Sequence, residues 1–125
     1  MSQKQEGSCC GGPKLIFTCS GSADVGEVAD HAARKLRNEG AGKMFCLAGI
    51  GGRIAGIMDT TKTASRILAI DGCPHDCSKN ALLQAGFTKF EHLRVTDLGM
   101  EKGKTLVTDE AVGKVVDKGK TILAK

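Results

Sequence analysis

The sequence predicts an α/β domain: a small, mainly parallel four-stranded sheet covered by helices on both faces, a three-layer α/β/α arrangement of Rossmann-like or flavodoxin-like type. Two observations carry the prediction. Short apolar runs alternate with helix-period stretches about every 25 residues, which implies parallel strands joined by right-handed crossovers. Several of those runs are delivered straight into glycine, the pattern of strand ends that open into loops. A chain of 125 residues is one ordinary domain. We read residues 1–13 as a Cys- and Gly-containing leader and 14–125 as a single folded unit.

Residues 14–19 (KLIFTC) form the first apolar run, cut off by Ser20, Gly21 and Ser22. In 24–39 the period changes. Val25, Val28, Ala29, Ala32, Ala33 and Leu36 share one helical stripe, Asp24 and Glu27 resemble a capping box, and Gly40 is placed to end the helix. Residues 43–48 (KMFCLA) and 66–71 (RILAID) read as the second and third strands, with a Gly-rich, partly helical stretch between them. A helix is expected from Pro74 to Ala85, because proline suits a first turn. Residues 91–98 alternate as a fourth strand. Thr108 then N-caps a closing helix whose core stripe is Val112, Val115, Val116, Ile122 and Leu123, with Gly113 and Gly119 weakening it.

Composition excludes several function classes. Hydrophobic residues make up 41% and charged residues 26%, ordinary values for a globular domain, so wholesale disorder and coiled coil are disfavoured. Four Phe with no Trp or Tyr cannot supply a base-stacking surface, and a net charge of +4 spread over scattered lysines points away from nucleic acid. No run approaches the roughly 20 apolar residues that cross a bilayer, and the polar start MSQKQEGSCCGGP does not read as a secretory signal. The expectation is a cytoplasmic protein without a membrane partner. Reduced thiols in that compartment turn six cysteines toward metal or redox chemistry rather than disulfides.

Cys19, Cys46 and Cys73 occupy matching places, each at or near the end of an apolar run and soon followed by glycine. The carboxyl ends of parallel strands share one edge, where ligands bind at the point at which strand order reverses. With order 2-1-3-4 and strands about 4.8 Å apart, three thiols can meet there. Cys77, four residues after Cys73 in DGCPHDC, would return over the same edge within one helical turn. Four thiols suit tetrahedral Zn(II) at about 2.3 Å, and a helix start favours thiolates. The residues alone also fit small buried hydrophobes, so both readings stay open.

The runs IDGCPHDC, KLIFTCSGSADVGE and GKMFCLAGIGGRIAG resemble the DGC domain family of small prokaryotic proteins, named for its Asp-Gly-Cys tripeptide. The similarity extends from about Gly11 to Lys120 and includes FEHLRVTDLGMEKGK. It implies an α/β domain whose four motif cysteines, here Cys19, Cys46, Cys73 and Cys77, bind zinc. It implies no reaction. The SCCGGP leader is similar to the start of such proteins and offers Cys9 and Cys10 as extra ligands or resolving thiols, against a plain flexible segment.

Other residues read more plainly. His75 fits solvent or an outer position better than a ligand, and His31 and His92 look like ordinary helix and strand residues. Asp71 either orients the site or accepts loop N–H groups. AGIGGRIAG matches no nucleotide motif and reads as a tight turn that could hold a small anion with Arg53. No Ser-His-Asp set and no H-E-x-x-H occurs. The expected function is zinc binding through four thiolates, serving metal carriage, sensing or docking of a protein or small-molecule partner. The competing reading is a cysteine-based redox enzyme or sulfur carrier with Cys73 or Cys77 as the reactive thiol.

Overall fold

A computed structural model describes residues 11–125; Cys9 and Cys10 lie outside the described residues. The elements run β1 (Lys14–Thr18), α1 (Asp24–Asn38), β2 (Lys43–Met44), α2 (Leu47–Gly51), α3 (Ala55–Lys62), β3 (Arg66–Asp71), α4 (Cys77–Gln84), β4 (Glu91–Arg94), a 3-10 turn (Val95–Leu98) and α5 (Asp109–Ala124). All strand pairs are parallel and the order is β2-β1-β3-β4. The order reverses beside β1, so the switch point lies between the ends of β1 and β3.

Strand alternation sorts the core into two layers. Ile16, Leu68, Ile70, Leu93 and Val95 point to α1 and α5, while Leu15, Phe17, Ile67 and Ala69 point to the side of α2, α3 and α4. The α1 stripe is buried as its period implies. Gly119, read above as a weak point of the last helix, is a packing requirement. A Cβ there would lie 2.8 Å from Leu36 Cδ1, so its absence lets α5 close on α1.

Several boundaries differ from the sequence reading. The second strand is only two residues long. After Phe45 N donates to Ile16 O (2.8 Å), Cys46 becomes the residue capping α2, its carbonyl accepting from Gly49 and Ile50. The fourth helix begins at Cys77 instead of Pro74, because Asp76 N bonds Cys73 O (3.1 Å) in a tight turn and Asp76 holds a left-handed φ of 52°. The fourth strand stops at Arg94, where the chain winds into a 3-10 turn closed by Gly99 at φ 88°. No capping box forms. Ala23 is the N-cap, Asp24 accepts from Val25, Gly103 and Thr105 backbone N–H groups, and Glu27 pairs with His31. Thr108 caps α5 as expected, accepting from Ala111 N at 3.1 Å.

Candidate functional site

Three of the four described cysteines line one cavity at the carboxyl edge of the sheet, although no three cysteine sulfurs lie within 4.8 Å of one another. Cys19 follows β1 directly and is half-buried; its amide donates to Ile70 O (3.1 Å), which ties it to the end of β3. Cys46 is exposed at the head of α2, held there by Phe45, whose ring meets Phe17 edge-on at 6.1 Å between centroids. Cys77 is exposed as the first residue of α4. These three thiols line one cavity of about 530 Å³ whose other walls include Met44, Phe45, Leu47 and Ala81, with no charged side chain among them.

Cys73 takes a different place. Like Cys19 it packs against the α1/α5 layer, but it is not among the cavity walls; its sulfur lies 3.7 Å from Lys102 Nζ. Gly72 explains the approach. A Cβ at Gly72 would stand 2.7 Å from Gly26 N and from the Val25 carbonyl carbon, so only glycine lets the chain after β3 pass against the first turn of α1.

Burial pushes the Cys19 thiol up from its ordinary value. Backbone N–H groups of Gly21 and Gly72 pull it partly back, while negative charge on Asp71 and Cys77 adds to the rise.

Behind the thiols lies a polar clasp the sequence did not reveal. Asp71, 1% exposed, accepts from Ser78 N (2.7 Å) and Lys79 N (3.1 Å) in the first turn of α4, and its second oxygen lies 2.9 Å from His92 Nε2. Arg94 grips both oxygens of Asp76, at 2.8 Å from Nε and 2.5 Å from the terminal nitrogen. Hydrogen bonds from Arg94 hold the Asp76 carboxyl below its ordinary value. Asp71, Asp76 and His92 form the one group, among the described residues, of three potential ligand atoms from His, Cys, Asp or Glu within 4.8 Å of one another. Asp71 and Asp76 accept from two backbone N–H groups and a guanidinium, so the arrangement works as a clasp that fixes the turn from Cys73 to Cys77 against β4.

His92 is therefore not an ordinary strand residue. Its link to Asp71 spans 21 positions, and only the strand register made it available: Asp71 pairs with Arg94 and Ala69 with His92. The common parity of His92 and Arg94 was the one local signal. Asp71 does accept loop and helix N–H groups, one of the two roles its position suggested. His75 is exposed, and its carbonyl accepts from Asn80. One terminal nitrogen of Arg53 donates to Ile50 O (2.7 Å) and Gly51 O (3.2 Å) and so caps the end of α2.

A parallel α/β domain with thiols collected at its switch point defines a class: small α/β proteins built around a cysteine-lined edge. The chain belongs to the DGC domain family, whose pattern matches residues 15–118. It is similar to the anaerobic and virulence modulator AnvM of Pseudomonas aeruginosa, 32% identical over 88 residues that cover 70% of this chain and 67% of that protein. No solved structure matches. Among the described residues no helix is long and apolar enough to cross a membrane.

Proposed function

We propose that this protein holds one Zn(II) through Cys19, Cys46, Cys73 and Cys77 at the carboxyl edge of the sheet. The observation that supports the reading best is the shared cavity of Cys19, Cys46 and Cys77. Sulfur is a soft ligand suited to zinc, so the donor chemistry fits. A domain of 125 residues can bury enough apolar surface to fold on its own core. That favours metal carriage, sensing or partner docking over a purely structural ion. AnvM is by its name a modulator, and a modulator role for a metal-responsive domain is in keeping with this reading.

Elemental analysis of purified protein together with thiol titration tests it. About one zinc per chain with protected thiols is expected. Affinity, read by competition with a chromophoric chelator, should fall as pH falls, because protons compete for the sulfurs. Metal-free protein with one fast-reacting cysteine would instead favour the thiol-enzyme or sulfur-carrier reading. Circular dichroism after chelation should retain strand and helix content; collapse to coil would show the metal to be a folding nucleus.

A further inference from the structure

By sequence the natural thiol pair is Cys73 and Cys77, one short turn apart. The tertiary structure separates them. The Cys73 sulfur lies 3.7 Å from Lys102 Nζ, outside the cleft that Cys77 lines. Cys77 stands instead beside Cys19, which comes from the end of another strand. The carbonyl of Ile70, in β3, accepts from both: Cys19 N donates to it at 3.1 Å and Ser78 Oγ at 3.2 Å. One oxygen therefore joins Cys19 to the residue that follows Cys77. Two Cα atoms must lie within roughly 7 Å to be bridged by a disulfide, and a shared acceptor is contact on that scale. Cys19 and Cys77 also line the same cleft. The rise in the Cys19 thiol, set first by burial, includes a contribution from negative charge on Cys77.

The two thiols are mounted differently. Asp71 accepts from Ser78 N at 2.7 Å and Lys79 N at 3.1 Å, which fixes the first turn of α4 over the end of β3. Cys77 is exposed and open to a reagent from solvent, whereas Cys19 is half-buried. Cys46 is exposed on the same cleft, but its carbonyl is tied to Gly49 N and Ile50 N of α2 rather than to β3. Met44, Phe45, Leu47 and Ala81 give the cleft apolar walls, and no charged side chain lines it, so an uncharged reagent enters without burying a charge.

We propose that Cys77 and Cys19 form a redox-active dithiol, Cys77 attacking and Cys19 resolving, which is oxidised by an uncharged low-molecular-weight disulfide. The Cys77 sulfur bonds to one sulfur of the reagent as the reagent's S–S bond breaks, and the first small thiol leaves with the Cys77 proton. The Cys19 sulfur then bonds to that of Cys77, the mixed disulfide breaks, and the second small thiol leaves with the Cys19 proton. Two protein thiols lose two electrons, and the two sulfurs of the reagent gain them. No metal takes part. A sulfur held in this bridge is no longer a thiolate, so the oxidised form and zinc binding exclude one another at these two residues.

The test uses the full chain carrying Cys9→Ser and Cys10→Ser, freed of metal with a chelator and treated with 2-hydroxyethyl disulfide. Four cysteines remain in it. Thiol counting after unfolding should show the loss of two thiols, and mass mapping should place the bridge between Cys19 and Cys77. Cys46→Ser and Cys73→Ser should form the same bridge at the parent's rate. Cys19→Ser should stop at a mixed disulfide, with one small thiol held on Cys77. Cys77→Ser should slow reaction at Cys19 by about tenfold or more, since only the half-buried thiol is left to attack. Circular dichroism checks the folding of each variant, and Cys19→Ala or Cys77→Ala stands in for a Ser variant that does not fold. A bridge between Cys73 and Cys77, a bridge through Cys46, a bridge between two chains, or mixed disulfides alone in the folded parent overturns the inference. The chain is metal-free throughout, so these outcomes leave the zinc reading to its own test.

Discussion

The two halves of the cysteine edge are built in opposite ways. The turn from Cys73 to Cys77 is locked from behind: Asp71 accepts two α4 N–H groups and meets His92, and Arg94 closes on Asp76. The half that carries Cys19 and Cys46 is tied by side chains only at the surface, where Ser20 (2.7 Å) and Arg34 (2.8 Å) donate to Asp30. Cys46 stands exposed between a strand of two residues and a helix of five, and Thr18 Oγ1 beside Cys19 is buried without a partner. The difference teaches how a small domain can present several thiols at once. One pair is placed by buried polar bonds, and the other by backbone pairing and the packing of Phe45 on Phe17.

The contrast breaks most sharply at Asp71. Asp71→Ala leaves the Ser78 and Lys79 N–H groups unpaired in a buried setting, so we expect a loss of about 3 kcal/mol in urea denaturation of the metal-free protein. A loss near zero would mean that the rigid half is not held by this carboxylate.

Arg94→Met comes next, with an expected cost of about 1 kcal/mol for a partly exposed bidentate pair. Its acid profile is the sharper readout. Asp76 titrates below its ordinary value of 3.8 in the folded state, chiefly through hydrogen bonds from Arg94. The stability it contributes is therefore complete above that ordinary value and is lost as pH falls through the lower folded value. Acid unfolding curves of Arg94→Met should show less of this loss than those of the parent.

On the looser half the signs change. Thr18→Val replaces a buried hydroxyl lacking a partner with a methyl of similar shape, and stability should rise by about 1 kcal/mol. Destabilisation would show that the hydroxyl has a partner after all. The smallest effect is expected at Cys46→Ser, where an exposed side chain should change metal-free stability by less than about 0.5 kcal/mol. A large loss there would end the contrast between the two halves.

Much of this was legible in the residues. The α1 stripe, the apolar runs of β1 and β3 and the Thr108 cap follow from period and local chemistry, and they emerge as expected. Boundaries near glycine were harder. Nothing local in KMFCLA distinguishes a six-residue strand from two strand residues followed by a cap, because the choice depends on whether Ile16 and Phe17 are there to receive Phe45. The helix after DGCPHD was placed too early for a similar reason: Asp76 is held left-handed while Arg94, 18 positions away, grips its side chain.

By itself, then, the sequence determined which segments are apolar, which are helical and which thiols end up near strand ends, since these follow from side-chain period and the turn chemistry of neighbouring residues. Only the tertiary structure decided how the thiols divide. The parallel register set Asp71 and its neighbours against His92 and Arg94, and close passage at Gly72 turned Cys73 toward Lys102 while Cys19, Cys46 and Cys77 faced the cavity. Those contacts join residues about 20 to 80 positions apart, and no local spacing encodes a hydrogen bond whose partners meet only after the sheet has formed.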